Sequence, residues 1–399
     1  MAAARATRPD GHLCPADHAI QLAHRGTHRV EAVQLAEHAV SGGDCVTTLR
    51  CVRHAVLTLV YAGDLLSADT HCTAALTRQE WRDDAPARQA FTLLRARIRY
   101  LTGDCAGARE AISGLLRAPL RPDLRRLAVA WLAEVLVQCD DLGGAETLLA
   151  DHDLLEPVGT QVPDRAAVLA ARAAVHLAAD RFEAAVDEYL ACGRQLSESR
   201  IVNPAVVPWR SRAALAALAT QRADLAAALA QDELTAARRW GSPASVGAAL
   251  HAVALTETDD RGADLLTDAV RLLDAARTRN EQIWALYDLG LVLRRRHDHG
   301  AARVRLRLAH RLAERGGNAR WSRRTRSALD ILLGPDGNVA LTRQEAKIAR
   351  LAAAGRTNKQ IAATLSLTIR TVEFHLSGAY RKLGISGRRE LPAVLATLN

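Results

Sequence analysis

A repeat with a period close to 39 residues constrains the fold of this chain more than any other feature. A short polar turn recurs seven times, and in all but one copy a small residue follows it four positions later. The copies are Gly63-Asp64 with Ala68, Gly103-Asp104 with Ala108, Asp140-Asp141 with Ala145, Asp180 with Ala184, Arg222 with Ala226, Asp260 with Asp264, and Asp298 with Ala302. Apolar helical stretches flank each turn, so each copy predicts a helical hairpin. Because one hairpin cannot bury both of its faces, the hairpins are expected to stack into a superhelix.

The composition favours an all-α fold, since Ala, Leu and Arg dominate the sequence and only 4% of the residues are aromatic. The segment from Asp180 to Val186 resembles a tetratricopeptide (TPR) turn, although the period is longer than that family's. The TPR-like array is expected to offer a concave surface to a small-molecule or protein ligand. The alternative is that it only holds the C-terminal end in place. Such arrays have no preformed apolar pocket, which argues against an enzyme.

Helix-breaking residues predict where the array is jointed and where it ends. Pro204 and Pro208, and then the run from Gly241 to Pro243, are expected to separate hairpins. The most turn-prone run of the chain, Gly334 to Asn338, falls where the repeat stops. The predicted organisation is a repeat domain at 1–333, a linker at 334–340 and a C-terminal domain at 341–399.

The excess of positive over negative charge is confined to the last quarter of the chain. The net charge is +9, yet the balance up to Leu293 is −6. The segment from Arg294 to Arg326 has 12 Arg against two acidic residues, and the segment from Gly337 to Asn399 has a balance of +7. Such segregation does nothing for folding and indicates a polyanionic partner. For the Arg294 to Arg326 run, an ordinary amphipathic helix is an equally good interpretation.

Several other classes of protein fit the sequence poorly. The longest stretch without Asp, Glu, Lys or Arg, Trp240 to Thr256, is 17 residues long and broken by Gly and Pro, too short for a membrane span. Met1 to Ile20 shows no secretory signal. The seven cysteines are scattered, which predicts reduced thiols in a cytoplasmic protein. Histidine pairs lack a complete ligand set, and paired aspartates lie at turns, so no metal, cofactor or catalytic residue is expected.

Three helix starts can be recognised in the C-terminal segment. Thr342 and Glu345 form a capping box, in which the Thr hydroxyl accepts from the Glu345 amide and the carboxylate accepts from the Thr amide. Gly355 is placed to end this helix in the left-handed conformation. A second box, Thr357 to Gln360, begins a short helix, and Thr368 can cap a third.

The third helix has an apolar face and a polar, cationic face. Its apolar residues recur at helical spacing: Val372, Leu376, Ala379 and Leu383. The opposite face carries Arg370, Phe374, Ser377 and Arg381. Three short capped helices of this kind match a helix-turn-helix that places its third helix in the major groove of DNA.

Five segments stand at fixed spacings: Leu341-Thr342, Ala354-Gly355, Asn358 to Ala362, Arg370 to Glu373 with His375, and Tyr380 to Ile385. They resemble the LuxR/FixJ-type DNA-binding domain. Four upstream segments are similar to the helical-repeat half of the large ATP-binding LuxR regulators, the MalT-like group: Asn203 to Ala205, Pro208 to Ser211, Arg238 to Pro243, and Asp288 to Gly290 with Leu293 to Arg295. The resemblance implies a DNA-binding transcription regulator, an activator that contacts RNA polymerase, and a homodimer on an inverted-repeat site formed through the last helix, Glu390 to Leu398. The residues alone leave two alternatives open: repression in place of activation, and an ordinary core role for the apolar residues of that helix, Leu391, Val394, Leu395 and Leu398.

The chain departs from that family in one major respect. It has no Gly-x-x-x-x-Gly-Lys-Ser/Thr loop, and its only lysines are Lys347, Lys359 and Lys382, so nucleotide-dependent switching is not implied. Smaller departures are Gln344 in place of the usual Arg, Ile369 in place of the usual Pro, and Gly378 inside the third helix, where glycine costs about 1 kcal/mol.

Roles carried over by position give the candidate DNA contacts. The candidates for base edges are Glu373, Phe374 and Ser377. The candidates for phosphates are Lys359, Arg370, Thr371, Arg381, Lys382, Arg388 and Arg389. For Phe374, the alternative is an ordinary aromatic residue of the core.

Three rival functions stay open at this level. The chain could be an interaction scaffold whose C-terminal domain no longer binds DNA, or a sigma-type promoter-binding protein. An enzyme is the third alternative, and turnover of ATP by the pure chain would be needed to support it.

Overall fold

The structure is a computed structural model that describes residues 14–41, 48–81, 83–155, 164–257, 261–333, 341–383, 385 and 387–396. Helices and turns account for these residues, and no strand occurs among them, as expected for an all-α chain. The chain divides into two compact units. The first comprises Met1–Ala285 and Leu312–Trp321, and the second Leu286–Arg311 and Ser322–Asn399.

Seventeen helices precede residue 334 in the described part of the chain: α1 (Pro15–Arg25), α2 (Arg29–Val40), α3 (Leu49–Ala62), α4 (Leu65–Thr77), α5 (Ala85–Leu101), α6 (Cys105–Leu116), α7 (Pro122–Gln138), α8 (Leu142–Asp151), α9 (Arg165–Ala178), α10 (Phe182–Glu198), α11 (Trp209–Ala219), α12 (Ala223–Trp240), α13 (Pro243–Thr256), α14 (Arg261–Ala275), α15 (Arg279–Arg295), α16 (His299–Arg315) and α17 (Ala319–Leu333). Successive helices pack in pairs, so the predicted hairpin array is confirmed.

The repeated polar turns begin the second helix of each hairpin. Asp64, Asp104 and Asp141 cap α4, α6 and α8, and each carboxylate accepts a hydrogen bond from the backbone N–H three residues later. The residue before each of these caps has a positive φ, which Gly63 and Gly103 adopt without strain. The small residues predicted to allow close approach are fully buried in five copies: Ala68, Ala108, Ala145, Ala226 and Ala302.

Two copies of the repeat were misplaced by the sequence pattern. In the fourth copy the N-cap is Arg181, one residue after the marked Asp180, and the fully buried small residue is Ala185. In the sixth copy Asp260 lies outside the described residues, and Ala263 is buried in place of Asp264, which is exposed. The predicted joints are confirmed, since Pro204 and Pro208 lie between α10 and α11 and Gly241 lies between α12 and α13.

Within the first unit, successive turns of the superhelix are joined by hydrogen bonds between residues about 180 positions apart. The carbonyl oxygens of Ala23 and Tyr100, at the ends of α1 and α5, accept from the side-chain amides of Asn203 and Asn280 at 2.7 and 2.6 Å. The Tyr61 carbonyl oxygen, at the end of α3, accepts from the Trp240 indole N–H at 2.7 Å. The last carbonyls of a helix have no partner inside it. Residues about five hairpins later supply these partners.

We call these hydrogen-bonded contacts between superhelical turns the polar joints. Asparagine suits them because its side chain both accepts and donates. The Asn318 oxygen accepts from the Trp321 backbone N–H at 3.2 Å at the start of its own helix, while its amide donates to Asn280 at 3.1 Å and to Gln138 at 3.3 Å. Asn203, Asn280 and Asn318 are all buried. With the buried Ser242 they recur at the period of the array, a signal that the turn pattern alone did not use.

In the second unit the arginine-rich run forms amphipathic helices. The buried face of α16 includes Leu306, which packs with Ala328 and Leu329 of α17. The His310 ring lies 3.1 Å from the Thr325 hydroxyl and links the same two helices. The predicted linker, 334–340, lies outside the described residues, so the proposed domain boundary stays a prediction.

Candidate nucleic-acid interface

The first three C-terminal helices begin directly after the predicted capping residues, and the first ends just before Gly355. The C-terminal helices are α18 (Arg343–Ala353), α19 (Asn358–Leu365), α20 (Ile369–Leu383) and the short α21 (Leu391–Ala396). Both capping boxes are confirmed, with reciprocal hydrogen bonds between Thr342 and Glu345 and between Thr357 and Gln360. Gly355 has a φ of 82°, and the Thr368 hydroxyl accepts from the Thr371 N–H at 3.1 Å.

A small apolar core joins these helices. The predicted stripe of α20 is buried: Val372, Leu376, Ala379 and Leu383. It packs with Ile348, Ala349 and Ala352 of α18, Ile361 and Ala362 of α19, and Leu391 of α21. Leu351 of α18 is only partly buried. The apolar face of α20 is thus used for packing, which leaves its other face available.

Glu345 is the polar centre of this domain. Its carboxylate is 7% exposed, accepts from the Thr342 backbone N–H at 2.7 Å and pairs with the Lys382 ammonium at the end of α20. Burial acts to raise the pKa of Glu345, but the bonds to Lys382 and Thr342 outweigh it and lower that pKa. A Cβ on Gly378 would lie 2.8 Å from a Glu345 oxygen, so the glycine admits the carboxylate.

Arg388 is also engaged inside the domain. Its guanidinium donates to the backbone oxygens of Ala352 and Arg356 and, at 3.0 Å, to the side-chain oxygen of Asn358. These carbonyls lie at and just beyond the end of α18, where helix carbonyls lack internal partners. Of the predicted phosphate contacts, Lys382 and Arg388 are therefore placed where they hold the helices together.

The three candidates for base contacts share one exposed face of α20. Glu373, Phe374 and Ser377 are all exposed, and the Phe374 side chain is 76% exposed. An aromatic ring of that size normally gains more than 1 kcal/mol from burial. The core alternative for Phe374 is therefore wrong, and its exposure requires another explanation.

Three of the remaining phosphate candidates are exposed on the surface of the domain. Lys359 near the start of α19, Arg370 in the first turn of α20, and Arg389 after α20 are exposed. Thr371 is half-buried, and its hydroxyl lies 2.7 Å from that of Thr368. The side chain of Arg381 and the end of the predicted dimer helix, from 397 onward, lie outside what the structure describes.

Sequence reasoning missed that Glu345 and Lys382 are partners. The signal was present, because Glu345 was assigned a capping role and Gly378 was noted as an unfavourable residue in the third helix. A helical glycine opposite a capping carboxylate indicates close approach of two helices. The prediction that Lys382 contacts a phosphate overlooked its pairing with Glu345.

Comparison with known families identifies the family of the C-terminal domain. Residues 339–395 match the profile of the family described as bacterial regulatory proteins, luxR family. The C-terminal segment is a LuxR-family helix-turn-helix domain. It is the DNA-binding part of the chain, in the position that the resemblance predicted.

Two solved structures are similar to a larger part of the chain than the family profile covers. The apo form of RapI is 11% identical with a TM-score of 0.39, over 83% of this chain and 97% of RapI. A STAND (signal transduction ATPase with numerous domains) protein with a tetratricopeptide repeat sensor, from Pyrococcus horikoshii, is 12% identical with a TM-score of 0.35, over 98% of this chain and 53% of that protein. No curated protein matches the sequence.

The described residues contain neither a cluster of metal-ligating side chains nor a helix that could cross a membrane. No group of three or more His, Cys, Asp or Glu side chains comes together there in a way that could hold a metal ion. Among the described helices, none has the length and apolar character needed to cross a membrane.

Proposed function

We propose that this protein is a sequence-specific transcription activator that binds an inverted-repeat promoter site as a homodimer through its LuxR-family domain. The observation that carries the proposal is the exposed face of α20, where Phe374 lies beside Glu373 and Ser377. A helix of this width fits the major groove, where each base pair presents a distinct set of donors, acceptors and methyl groups.

Each side chain on that face has a chemistry suited to a base edge. The Glu373 carboxylate accepts from the amino group of cytosine, and the Phe374 ring packs on the methyl group of thymine. The Ser377 hydroxyl donates or accepts, so it tolerates several bases. Together they specify a short half-site, which the second protomer repeats in inverted orientation.

The phosphate contacts follow from which cations are exposed. We assign Lys359, Arg370, Arg389 and the Thr371 hydroxyl to the DNA backbone, where charge positions the protein without selecting a sequence. Lys382 and Arg388 contribute by holding α18 and α20 in register, since Glu345 and the α18 carbonyls already bind them. Arg381 stays among the phosphate candidates by its position in the sequence.

The repeat array supplies the input in this proposal. A ligand or a protein bound to its concave surface would alter the availability of the DNA-binding domain, and contact with RNA polymerase would activate transcription. The resemblance to the large LuxR regulators supports this arrangement. The chain has no phosphate-binding loop of the Walker type, so the input is not proposed to be ATP hydrolysis.

The decisive experiment selects bound fragments from the source genome and then titrates a selected site against salt. Wild-type binding should weaken with a log–log slope of about −0.9 per neutralised phosphate. Ser377→Ala and Phe374→Ala should change the preferred bases, whereas Lys359→Ala should flatten the slope by about 0.9 and leave base preference unchanged. Lys347→Ala, which removes an exposed lysine of α18, is the matched control.

The outcome also separates the rival functions. A scaffold would retard no DNA fragment below micromolar concentration at physiological salt. A sigma-type protein would co-purify with core RNA polymerase and show no preference for inverted repeats. Binding that is insensitive to salt would contradict the proposal as a whole.

A further inference from the structure

The last helices before the DNA-binding domain carry a second cationic surface. Arg307 and Arg311 on α16 and Arg323 and Arg326 on α17 are exposed. On α16 the two arginines lie opposite the buried residues Ala302, Leu306, Ala309 and Ala313, because 100° per residue places them about half a turn away. We name these four arginines the flanking surface.

This arrangement is unfavourable for the isolated helix. Arg303, Arg307 and Arg311 follow one another at steps of four, and like charges at that spacing destabilise a helix by about 0.2–0.5 kcal/mol per pair. The pKa of Arg303 is lowered by burial and by the charge of Arg307. Ordinary protein surfaces intersperse both signs of charge. A polyanion lying against the row would relieve this repulsion.

The flanking surface belongs to the same compact unit as the helix-turn-helix. At the first turn of α16, a Cβ on Gly300 would lie 3.6 Å from the methyl group of Thr342, the N-cap of α18. The charge of Glu345 also acts on Arg303 one turn later. The row of arginines therefore starts beside the DNA-binding helices and continues along α16 at about 6 Å per four residues.

We propose that the flanking surface is a second, sequence-independent DNA contact, which binds phosphates of the duplex outside the site held by α20. The inference rests on the proposed function, because it assigns the same partner to a new part of the chain. Guanidinium groups bind phosphate oxygens by paired hydrogen bonds. Two contacts of this kind per protomer, from Arg307 and Arg311, would add about 1.8 to the salt slope.

Other partners fit this surface less well. Arginine is also frequent in protein–protein interfaces, but their buried centres contain aromatic residues, and none of the large apolar residues exposed on α16 and α17 in the described chain is aromatic. A helix that lies on a membrane presents a continuous apolar face to the lipid. The large apolar residues exposed on α16 and α17 in the described chain are Val304 and Ile331, one on each helix.

The test compares two duplexes that contain the same selected site, one of about 20 base pairs and one of about 50, a span of several helical turns. The variant is Arg307→Gln with Arg311→Gln, which keeps the polar surface and removes two charges. The matched control is Arg88→Gln with Arg194→Gln, which removes two exposed arginines of the first unit. Circular dichroism confirms that both variants fold.

Wild-type protein and control should bind the long duplex about tenfold more tightly than the short one at 0.15 M salt. The Arg307/Arg311 variant should match wild type on the short duplex and lose most of that gain. Its salt slope on the long duplex should fall by about 1.8. A variant that keeps the full gain would overturn the proposal, as would wild-type protein that gains nothing from length.

The test also separates this proposal from the proposed function. Sequence-specific binding of the short duplex, with no gain on the long one, leaves the helix-turn-helix assignment standing and removes the flanking contact. Absence of sequence preference on both duplexes removes the proposed function itself. If the Arg307/Arg311 variant loses affinity for an acidic protein but not for the long duplex, the surface binds protein and the inference is wrong.

Discussion

The repeat array has buried ion pairs, such as Arg210 with Glu233, but it differs from the helix-turn-helix domain in the buried polar groups that tie distant segments together. In the array, Asn203, Asn280 and Asn318 recur at hairpin intervals and join successive turns of the superhelix by neutral hydrogen bonds. In the small domain one ionised residue, Glu345, joins α18 to α20 through Lys382. Stability is therefore distributed in the array and concentrated in the domain.

The difference follows from the amount of core that each region can build. The array buries apolar residues over some three hundred positions, so no single polar joint decides whether it folds. The four C-terminal helices share about ten buried apolar residues, which is little for an independent core. A strong charge-assisted interaction matters more there.

The largest effect is expected from Glu345→Ala. It removes the capping box and leaves the Lys382 ammonium without its partner, which should destabilise the domain by about 3–5 kcal/mol. All six tryptophans lie before residue 334, so their fluorescence reports only the array. Hydrogen exchange of residues 343–383 should become fast while the fluorescence transition stays unchanged. Glu345→Gln, which can still accept from Thr342, should cost less.

Lowering the pH should destabilise the helix-turn-helix domain through protonation of Glu345. Because the pKa of Glu345 is lowered in the folded state, its stabilisation is complete above the ordinary glutamate pKa, about 4.3, and is lost as the pH falls through the lowered value. Hydrogen exchange at decreasing pH should show the domain opening in that range. An equally steep loss in Glu345→Gln would show that another group is responsible.

The next largest effect is expected from Gly316→Ala in the array. A Cβ there would lie 1.8 Å from the carbonyl oxygen of Gly103, and the backbone cannot yield as a flexible side chain would. We expect a loss of about 3 kcal/mol in denaturant unfolding followed by tryptophan fluorescence. Gly143→Ala is the control, since nothing lies within 4 Å of its Cβ. That substitution should stabilise α8 slightly.

A smaller effect should follow removal of one asparagine joint. Asn280→Ala leaves the Tyr100 carbonyl oxygen and the Asn318 amide each without one partner, at a cost of about 2 kcal/mol. The tryptophan transition should shift by that amount, and Gln231→Ala, an exposed substitution on α12, should not shift it. A shift as large as that of Gly316→Ala would mean that the joints are not distributed.

The smallest effect on stability is expected from Phe374→Ala. The ring is so exposed that the free energy of unfolding should change by less than about 0.5 kcal/mol. Binding to the selected site should nevertheless weaken by about 1–3 kcal/mol when a thymine occupies the contacted position. Loss of folding stability comparable to that of Glu345→Ala would show that the ring serves the core.

Local signals in the sequence predicted local structure well. Capping boxes depend on residues three positions apart, and the repeat on turns that each hairpin forms for itself, so both could be read directly. The apolar stripe of α20 likewise placed Phe374 on the outer face. These features depend on neighbours along the chain.

Contacts between distant residues were missed. Only Gly378, four residues before Lys382, hints that Glu345, 37 positions before Lys382, would engage it. The bonds between successive superhelical turns join residues about 180 positions apart, and only the periodic recurrence of Asn203, Ser242, Asn280 and Asn318 hints at them. The shift from Asp180 to Arg181 has a local cause, because either residue could begin the helix.

The hydrogen bonds between residues about 180 positions apart restrict how the number of hairpins in this array can change during evolution. An open solenoid can lengthen or shorten by one hairpin, since each unit meets only its neighbours. Here the end of α1 meets the chain just before α11, and that of α5 meets the start of α15. Deleting one hairpin between α5 and α11 would shift Asn203 and Asn280 relative to α1 and α5. Each asparagine would then no longer meet the carbonyl oxygen that it now binds. Relatives should therefore vary in hairpin number at the ends of the array and keep a constant number in its middle.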